Sequence, residues 1–291
     1  MIQSMMLQEN GLQEYRIQNR LGHSFRRKII DYLEKCRLED GGYFFARVLP
    51  SSGKDTYFAV KSHLLLGLVP EQPELIANFF LSQMKEGWLY DVGGLFLASE
   101  VLTDLGFTTN ELNRYAGSLI LSVRNKEGGF GSQENLYIEV ISELEKTYQA
   151  VKTLATIGVK FDREKIRDFT FGYLNSDGGY GKKGHSILSS TYYATAIHNV
   201  IGTDCRELVN TKTFLRKKEK SLQLLFIDEL YWLTMALFNL GTAPGSFGST
   251  ANFVLNCQGS NGGFARATRA GISTLEYTYY ALSILGRLGA V

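Results

Sequence analysis

The chain has 291 residues, of which 44% are hydrophobic and 21% charged, and its formal net charge is +2. This composition is typical of a soluble globular protein and carries no basic footprint of a nucleic-acid-binding protein. No apolar run approaches a membrane span, the first residues lack the apolar core of a signal peptide, and the three cysteines form no CxxC pair. We therefore expect a cytoplasmic protein in a reducing compartment.

Six segments of the sequence align without a gap, and each ends in a glycine. Every segment carries an aromatic residue ten positions before that glycine, and five of the six carry an alanine eight positions before it. The terminal glycines are Gly67, Gly106, Gly158, Gly202, Gly241 and Gly289. A period of about 40–50 residues predicts copies of one supersecondary unit. Linked repeats favour a single domain over residues 1–291, with a short N-terminal extension over about residues 1–23.

Each repeat is predicted to be a pair of helices around a turn. Amphipathic segments precede the turns at residues 25–36, 75–84, 112–123, 166–174 and 251–257. The turns are Gly41-Gly42-Tyr43, Gly128-Gly129-Phe130, Gly178-Gly179-Tyr180 and Gly262-Gly263-Phe264, while the second repeat has Gly87-Trp88 and the fifth lacks the turn. Paired glycines permit a tight turn with positive φ, and the terminal glycines suit helix C-caps.

Six helix pairs can stack as an open solenoid or close into a ring. The last repeat is as apolar as the middle ones from Tyr279 to Leu285, so it lacks the polar outer face of a capping repeat. We therefore predict an all-α fold, an α/α toroid (α6/α6 barrel) of six helix-pair repeats. The six aligned segments would form its inner ring.

Positions in a repeat are numbered backwards from its terminal glycine, and position −9 is predicted to line the centre of the ring. Its residues are Phe58, Leu97, Gln149, Tyr193, Trp232 and Tyr280. Four aromatic side chains around a ring can wall an apolar tunnel and stabilise a carbocation through their faces. Alternatively, they only fill the centre of the barrel.

Position −13 carries three acids at the predicted starts of inner helices. Its residues are Lys54, Gly93, Glu145, Ser189, Asp228 and Glu276. Acids in a first turn are favoured by the helix macrodipole, which is the alternative to a catalytic role. At position −6, Glu100 and Lys152 are placed to pair with each other.

The N-termini of the inner helices would face one rim, where converging dipoles favour an anion such as diphosphate. Basic residues lie just upstream, at Lys182, Lys183, Arg216, Lys217, Lys218, Lys220, Arg266 and Arg269. We expect Lys217, Lys220 and Arg266 to bind a diphosphate, although a charge run is also typical of a solvated face. His63 and His198 share position −4 and are expected to be satisfied core residues.

The sixth repeat resembles a known family. Its pattern Cys257-Gln258, Gly262-Gly263-Phe264 and Tyr277-Thr278-Tyr279-Tyr280-Ala281-Leu282 is similar to the prenyltransferase/squalene-cyclase repeat. That repeat occurs in protein prenyltransferase β subunits and class II terpene cyclases. The resemblance covers nearly the whole chain, and it implies the toroid fold, isoprenoid chemistry and, for a β-subunit-like role, a helical partner subunit.

The zinc ligands of the family do not carry over. Protein prenyltransferase β subunits hold zinc with Asp-x-Cys and a His, and the matching positions here are Phe226, Asp228 and Tyr277. The resemblance therefore makes zinc unlikely as a cofactor. It also matches Trp232 to an aromatic of the isoprenoid pocket and Lys220 to a basic residue near the diphosphate, whereas Gln223 replaces a second one.

Class II cyclases carry an Asp-x-Asp-Asp motif whose middle acid protonates the substrate, and that acid maps to position −13. Residues 226–229 keep the last two acids, Asp228 and Glu229, and residues 143–146 keep the first two, Glu143 and Glu145. The resemblance therefore implies Asp228, Glu145 and Glu229 as candidate catalytic acids. Cyclases of this type usually pair two barrels, whereas this sequence has one set of repeats.

Three functions stay open, and the sequence leaves undecided whether the chain is an enzyme. The first is a zinc-independent, prenyltransferase-like enzyme that holds a prenyl diphosphate, with Mg²⁺ as its companion, in an aromatic-lined cavity. The second is a proton-initiated terpene cyclase with Asp228 or Glu145 as its acid. The third is a non-catalytic toroid that binds a lipid or a protein partner.

Overall fold

The computed structural model describes residues 22–87, 89–130, 141–221, 226–245, 247–268 and 270–289. Within these ranges there are twelve α-helices, one short 3-10 helix and no β-strand. No helix in this part of the chain is long and apolar enough to cross a membrane. Most of the predicted N-terminal extension, together with Trp88, Gln223 and Arg269, lies outside the described residues.

The helices alternate between those before and those after each turn. The pre-turn helices are α1 (His23–Lys35), α3 (Pro73–Lys85), α5 (Asn110–Ser122), α7 (Arg163–Phe171), α9 (Val209–Ser221) and α11 (Phe247–Asn256). The post-turn helices are α2 (Gly53–Leu65), α4 (Val92–Leu105), α6 (Ile141–Thr156), α8 (Leu188–Ile201), α10 (Ile227–Asn239) and α12 (Leu275–Arg287). All six aligned segments are therefore helical, as predicted.

The predicted pre-turn helices differ from the observed ones in two respects. They begin two to four residues too late, as in α7, whose first residues Arg163, Glu164 and Lys165 are charged and do not show in the apolar periodicity. Six helix pairs were predicted, but the residues of helix α9, which follows the 3-10 helix Cys205–Leu208, were not assigned. Only Thr211, Phe214 and Leu215 of α9 are buried, and this short stripe is masked by the surrounding lysines.

The contacts divide the chain into two compact units, which are described separately. Unit 1 comprises residues 1–75, 223–231 and 245–291, and unit 2 comprises residues 76–222 and 232–244. Helix α10 is therefore divided between the two after Tyr231. The prediction of a single domain stays a prediction.

The Gly-Gly turns are required by close packing. Gly262 has a φ of +93°, and a Cβ there would lie 2.0 Å from the carbonyl oxygen of Lys28 in α1. Gly178 has a φ of +90°, and its Cβ would lie 2.3 Å from the carbonyl oxygen of Asn210 in α9. Each of these turns therefore rests directly on the backbone of a pre-turn helix, which only glycine permits.

The aromatic residue of each turn is buried and is fixed by a threonine at position −11. The backbone N–H groups of Tyr43, Phe130, Tyr180 and Phe264 donate to Thr56, Thr147, Thr191 and Thr278 over 2.9, 3.1, 3.0 and 3.1 Å. A buried N–H without a partner is costly, so these hydroxyls hold the turn against the start of the helix that follows. Position −11 therefore supplies a hydroxyl that fixes each of these four turns.

In unit 1 the first and last repeats are neighbours. Helix α12 packs along α2. The rings of Phe25 and Phe264 lie 6.2 Å apart, and the Tyr32 hydroxyl donates to the carbonyl oxygen of Ser273 over 3.0 Å. These contacts join the two ends of the repeat series, as the predicted closure requires.

In unit 2 the post-turn helix α6 packs between α4 and α8. A separate apolar cluster joins α9 to α10 and consists of Leu208, Phe214, Leu215, Leu233, Ala236, Leu237 and Leu240. Full burial of a leucine or phenylalanine stabilises the fold by about 1.5–3 kcal/mol. This cluster fixes α9 on the fold despite its charged sequence.

Candidate functional site

Asp228, at position −13 in the first turn of α10, is bound by an arginine. Its carboxylate accepts three contacts from the Arg266 guanidinium, from Nε to Oδ1 at 3.1 Å and to Oδ2 at 3.2 Å, and from Nη2 to Oδ2 at 3.0 Å. Asp228 is 9% exposed, so its carboxylate is largely shielded from solvent. Hydrogen bonds between charged groups in this two-pronged geometry are shorter and stronger than neutral ones, so they fix the orientation of both side chains.

The guanidinium of Arg266 is also held by an aromatic ring. It lies 4.2 Å from the centroid of Phe226, directly before α10. The hydrogen bonds that Arg266 donates to Asp228 raise the pKa of the guanidinium above its usual value. Burial, and then the charge of Asp228, raise the pKa of Tyr277. Glu229 is half-buried on the next residue and adds to the negative charge around Arg266.

A second charged pair lies at the same register in unit 1. The Nζ of Lys54 lies 3.0 Å from Oε1 of Glu276, and the Tyr280 hydroxyl donates to the same oxygen over 3.0 Å. Lys54 also sits 5.7 Å from the ring centroid of Phe58. Two predicted ligand-binding residues, Phe58 and Tyr280, therefore adjoin one ion pair.

Aromatic rings from α2, α10 and α12 form a continuous cluster in unit 1. Its members, hereafter the unit 1 aromatic cluster, are Tyr57, Phe58, Tyr231, Tyr279 and Tyr280. Tyr231 stacks on Tyr280 with centroids 4.0 Å apart, and Phe58 lies 5.4 Å from Tyr279. Three of the five rings come from position −10, which was not predicted to belong to a site. Its signal was available, because position −10 is aromatic in all six repeats.

Asp55 is a further acid of unit 1 that the sequence reading missed. It is 8% exposed, and its Oδ2 accepts the backbone N–H of Phe45 over 3.1 Å. Burial raises the pKa of Asp55, and the nearby charge of Glu276 adds to the effect. Its sequence signal was weak, since an acid three residues after the N-cap Ser52 is ordinary in a first turn.

In unit 2, three of the predicted residues come together around Glu145. The Nε2 of Gln149 donates to Glu145 over 3.4 Å, and the hydroxyl of Tyr193 also hydrogen bonds to this carboxylate. Burial raises the pKa of Tyr193 well above its usual value, and the charge of Glu145 adds to the shift. Glu145 therefore has neutral donors where Asp228 has a cation.

Trp232 and the pair at position −6 also belong to unit 2. Trp232 is half-buried, and its Nε1 is shielded from solvent with no hydrogen-bond partner among the described residues. Lys152 lies 3.7 Å from Glu100, which also accepts a hydrogen bond from Thr156 over 2.9 Å. The sequence-predicted pairing of Glu100 with Lys152 is therefore confirmed.

Lys217 and Lys220 lie in the C-terminal half of α9 in unit 2, and both are exposed. Their predicted role at a diphosphate stays a prediction.

A cavity of about 670 Å³ in the same unit runs along α5 past Asn113, Arg114 and Gly117. None of the predicted site residues lines it.

The two histidines at position −4 are buried and hydrogen-bonded on both ring nitrogens. His63 Nδ1 faces the carbonyl oxygen of Ala59, and Nε2 faces Glu34, each at 2.9 Å. The hydrogen bond from His63 lowers the pKa of the Glu34 carboxyl.

His198 has hydroxyl partners instead. Its Nε2 lies 3.1 Å from the Tyr180 hydroxyl and its Nδ1 lies 2.9 Å from Thr203. Burial lowers the pKa of His198 to about 4, so the ring is neutral at neutral pH. Both histidines have structural partners, as expected for core residues.

The positions that match the zinc ligands of the resemblance do not form a zinc site. Phe226 and Tyr277 are aromatic, and Asp228 is engaged by Arg266. Zinc sites in proteins take three or four Cys, His or carboxylate ligands, and one carboxylate does not fit that requirement. Elsewhere in the described ranges there is no group of three such residues placed to hold a metal.

The sequence matches the family described as "Prenyltransferase alpha-alpha toroid domain" over residues 10–92, 92–225 and 219–290. The chain belongs to this toroid family. Comparison with curated proteins finds no match. Family membership confirms the resemblance stated from the sixth repeat.

Solved structures with the toroid fold resemble this family member along nearly all of its length. Candida albicans protein geranylgeranyltransferase-I complexed with GGPP has a TM-score of 0.66 at 16% identity and covers 89% of this chain and 90% of that chain. The type II terpene cyclase MstE from Scytonema, as a variant in complex with merosterolic acid A (product), has a TM-score of 0.59 at 11% identity over 96% and 98%. Another variant of that cyclase, in complex with geranylgeranyl dihydroxybenzoate (substrate), has a TM-score of 0.55 at 12% identity over 96% and 97%. The predicted all-α toroid fold is confirmed.

Proposed function

We propose that this toroid protein binds an isoprenoid diphosphate without zinc. The observation that carries the proposal is the unit 1 aromatic cluster together with two cations, Lys54 in the first turn of α2 and Arg266, which binds Asp228 in the first turn of α10. An apolar wall beside a charged end suits a ligand with an apolar tail and an anionic head.

The tail would lie against the ring faces that the cluster leaves open. Tyr279 is half-buried, while Tyr57, Phe58, Tyr231 and Tyr280 are 6–9% exposed. An aromatic face also attracts positive charge that develops along a prenyl chain. The neighbouring geranylgeranyltransferase is complexed with GGPP, and the neighbouring cyclase is in complex with geranylgeranyl dihydroxybenzoate. We therefore take geranylgeranyl as the first tail to test.

The head would bind to the cations of unit 1. Arg266 is 46% exposed in its side chain, and Lys54 is 59% exposed, so both can reach a ligand. Each is paired with a carboxylate, Asp228 or Glu276, that a diphosphate would compete with. A diphosphate commonly brings Mg²⁺, which binds phosphate oxygens together with one or two carboxylates. Asp228 and Glu276 would supply those carboxylates.

The test is a calorimetric titration of chelator-treated protein with geranylgeranyl diphosphate, farnesyl diphosphate and inorganic pyrophosphate. If the aromatic cluster binds the tail, affinity falls in that order. Equal affinities for all three would show that only the charged head is recognised. Binding that requires added zinc would contradict the proposal.

A second candidate function is proton-initiated cyclisation with Glu145 as the acid. It is favoured by the place of Glu145 at position −13, which matches the cyclase acid, and by the hydrogen bonds that Gln149 and Tyr193 make to its carboxyl group. The Scytonema cyclase is matched over 98% of its own chain, so one set of six repeats is compatible with this fold type. Product analysis of geranylgeranyl substrates with Glu145→Gln and Asp228→Asn variants separates the two acids.

If Glu145 is the acid, product formation disappears in Glu145→Gln and persists in Asp228→Asn. Loss in Asp228→Asn alone would reassign the acid. A ligand that binds and is recovered unchanged from the unaltered protein supports a non-catalytic toroid. The predicted helical partner subunit and cytoplasmic location stay predictions.

A further inference from the structure

Positive charge in unit 2 is concentrated in two short segments. Residues 177–186 and 209–221 contain seven lysines and arginines against two acids, a net charge of +5. The whole chain carries only +2, so the remaining residues carry a net −3. Such asymmetry indicates a surface that meets an anionic partner.

The two segments form one surface. The turn at Gly178 lies on the backbone of Asn210, and a Cβ at Gly179 would lie 2.7 Å from the ring of Phe214 in α9. Lys218 of α9 also interacts electrostatically with Asp177 of the turn. The lysines of the turn and of α9 therefore belong to a single basic patch.

Five lysines of this patch are exposed and have no side-chain ion pair or hydrogen bond within the described ranges. They are Lys182, Lys183, Lys212, Lys217 and Lys220. The remaining two cations have internal partners, since Arg216 bonds Glu219 and Thr242 and Lys218 lies over the Phe214 ring at 5.5 Å. The unpaired charge is therefore carried entirely by lysine.

Helix stability does not account for the patch. Cations in the last turn of α9 complement the helix macrodipole, which explains Lys218 and Lys220. Lys212 lies near the opposite, positive end of α9, and Lys182 and Lys183 lie in the preceding turn. The macrodipole disfavours the first and does not reach the other two.

We propose that this basic patch docks on an anionic lipid surface. Lysines act as point charges without the fixed geometry that arginines offer to single phosphates or bases, so they suit a diffuse layer of head groups. Tyr180 and Phe214 are buried, so the exposed ring that these two segments offer to a nucleic-acid base is the His185 imidazole alone. Val209, 57% exposed beside the patch, offers an apolar contact.

The test is co-sedimentation of the full chain with vesicles of phosphatidylcholine alone or with about one third phosphatidylserine. We expect binding only to the anionic vesicles, and loss of binding when salt is raised from about 0.1 M to about 0.5 M. No isoprenoid is present, so the result is independent of the proposed ligand.

Two triple variants separate the patch from net charge. Lys182→Gln/Lys183→Gln/Lys212→Gln should lower the partition constant about 100-fold, since each lysine near a membrane is worth about a fivefold change. Lys35→Gln/Lys126→Gln/Lys160→Gln removes the same charge from exposed positions elsewhere and should bind like the unaltered protein.

Three results would overturn the proposal. They are equal losses in both triple variants, no binding of the unaltered protein to anionic vesicles, and binding to a labelled oligonucleotide in place of vesicles at the same ionic strength. All six lysines are exposed, and circular dichroism confirms that each variant folds.

Discussion

The two units of the chain place acids and histidines at the same repeat positions but give them different partners. At position −13, Asp228 in unit 1 faces the Arg266 cation, whereas Glu145 in unit 2 faces the neutral groups of Gln149 and Tyr193. The repeat fixes the position of each carboxylate, and contacts with residues elsewhere in the sequence determine its hydrogen-bond partners.

Position −4 shows the same contrast. In unit 1 His63 pairs with the Glu34 carboxylate, whereas in unit 2 the ring nitrogens of His198 face the hydroxyls of Tyr180 and Thr203. The ion pair of Lys152 with Glu100 shows that unit 2 also contains charged pairs. The contrast therefore belongs to positions −13 and −4, and it can be tested there by pH, ligand binding and stability.

The largest expected effect is on the acid stability of unit 2. The folded pKa of His198, about 4, lies below the usual value of 6.5. Between these values the unfolded chain binds more protons, so the contribution of His198 is complete above pH 6.5 and is lost as pH falls toward 4. The loss is about 3 kcal/mol of unfolding free energy at full protonation. Urea unfolding at several pH values measures it.

The histidine variants provide the control for this pH effect. His198→Gln should remove that part of the pH dependence, and the same change at the exposed His185 should leave it intact. In unit 1 the pKa of Glu34 is lowered below its usual 4.5, so its contribution is lost only as pH falls through that lowered value. An unchanged pH profile in His198→Gln would contradict the neutral state of this ring.

The next effect is on ligand affinity. Arg266→Gln should weaken binding of a prenyl diphosphate about 10–100-fold, because a hydrogen bond to a charged group is worth about 1.5–3 kcal/mol. Calorimetric titration measures the change. Arg206→Gln is the matched control, because Arg206 is 90% exposed and pairs locally with Asp204. Equal affinity in the two variants would remove Arg266 from the proposed head-group site.

A smaller effect on the unfolding free energy is expected when the tyrosine hydroxyls that bond to Glu145 and Glu276 are removed. Tyr193→Phe removes a neutral donor from Glu145 and should cost about 1 kcal/mol of unfolding free energy. Tyr280→Phe removes the bond to Glu276, which keeps Lys54, and should cost about half as much. Urea denaturation of both variants gives the comparison. A greater loss in Tyr280→Phe would show that neutral and charged partners are not distinguished in this way.

The smallest effect is expected at the exposed ion pair. Lys54→Met should change the unfolding free energy by less than about 0.5 kcal/mol, because surface ion pairs contribute little. The Lys54 side chain is 59% exposed. Thermal unfolding at low and high salt measures the difference. A loss of unfolding free energy well above 1 kcal/mol would show that the Lys54–Glu276 ion pair stabilises the fold as strongly as a buried ion pair does.

The fold could be predicted because short sequence patterns specify the ends of its helices and its turns. Terminal glycines such as Gly106 and Gly202 adopt φ values of +79° and +76° at helix ends, and only glycine does so readily. The turn glycines follow the same rule. The residues of helix α9 could not be assigned from the sequence, because a few apolar residues hold this helix by tertiary packing and its amphipathic pattern is weak.

The site could be predicted only in part. The register placed acids at position −13 and rings at position −9, but their partners depend on contacts between distant residues. Arg266 lies 38 residues from Asp228, and Tyr193 lies on a different helix from Glu145. No local pattern states which partner is a cation and which is a hydroxyl. The aromatic residues at position −10 were visible in the sequence but were interpreted only as repeat markers.

The most direct test of the proposed function is calorimetric titration of zinc-free protein with geranylgeranyl diphosphate in the presence of Mg²⁺. Saturable binding with one ligand per chain, weaker for inorganic pyrophosphate, is the predicted result. No heat of binding, or binding only after zinc is added, would contradict a zinc-independent isoprenoid site.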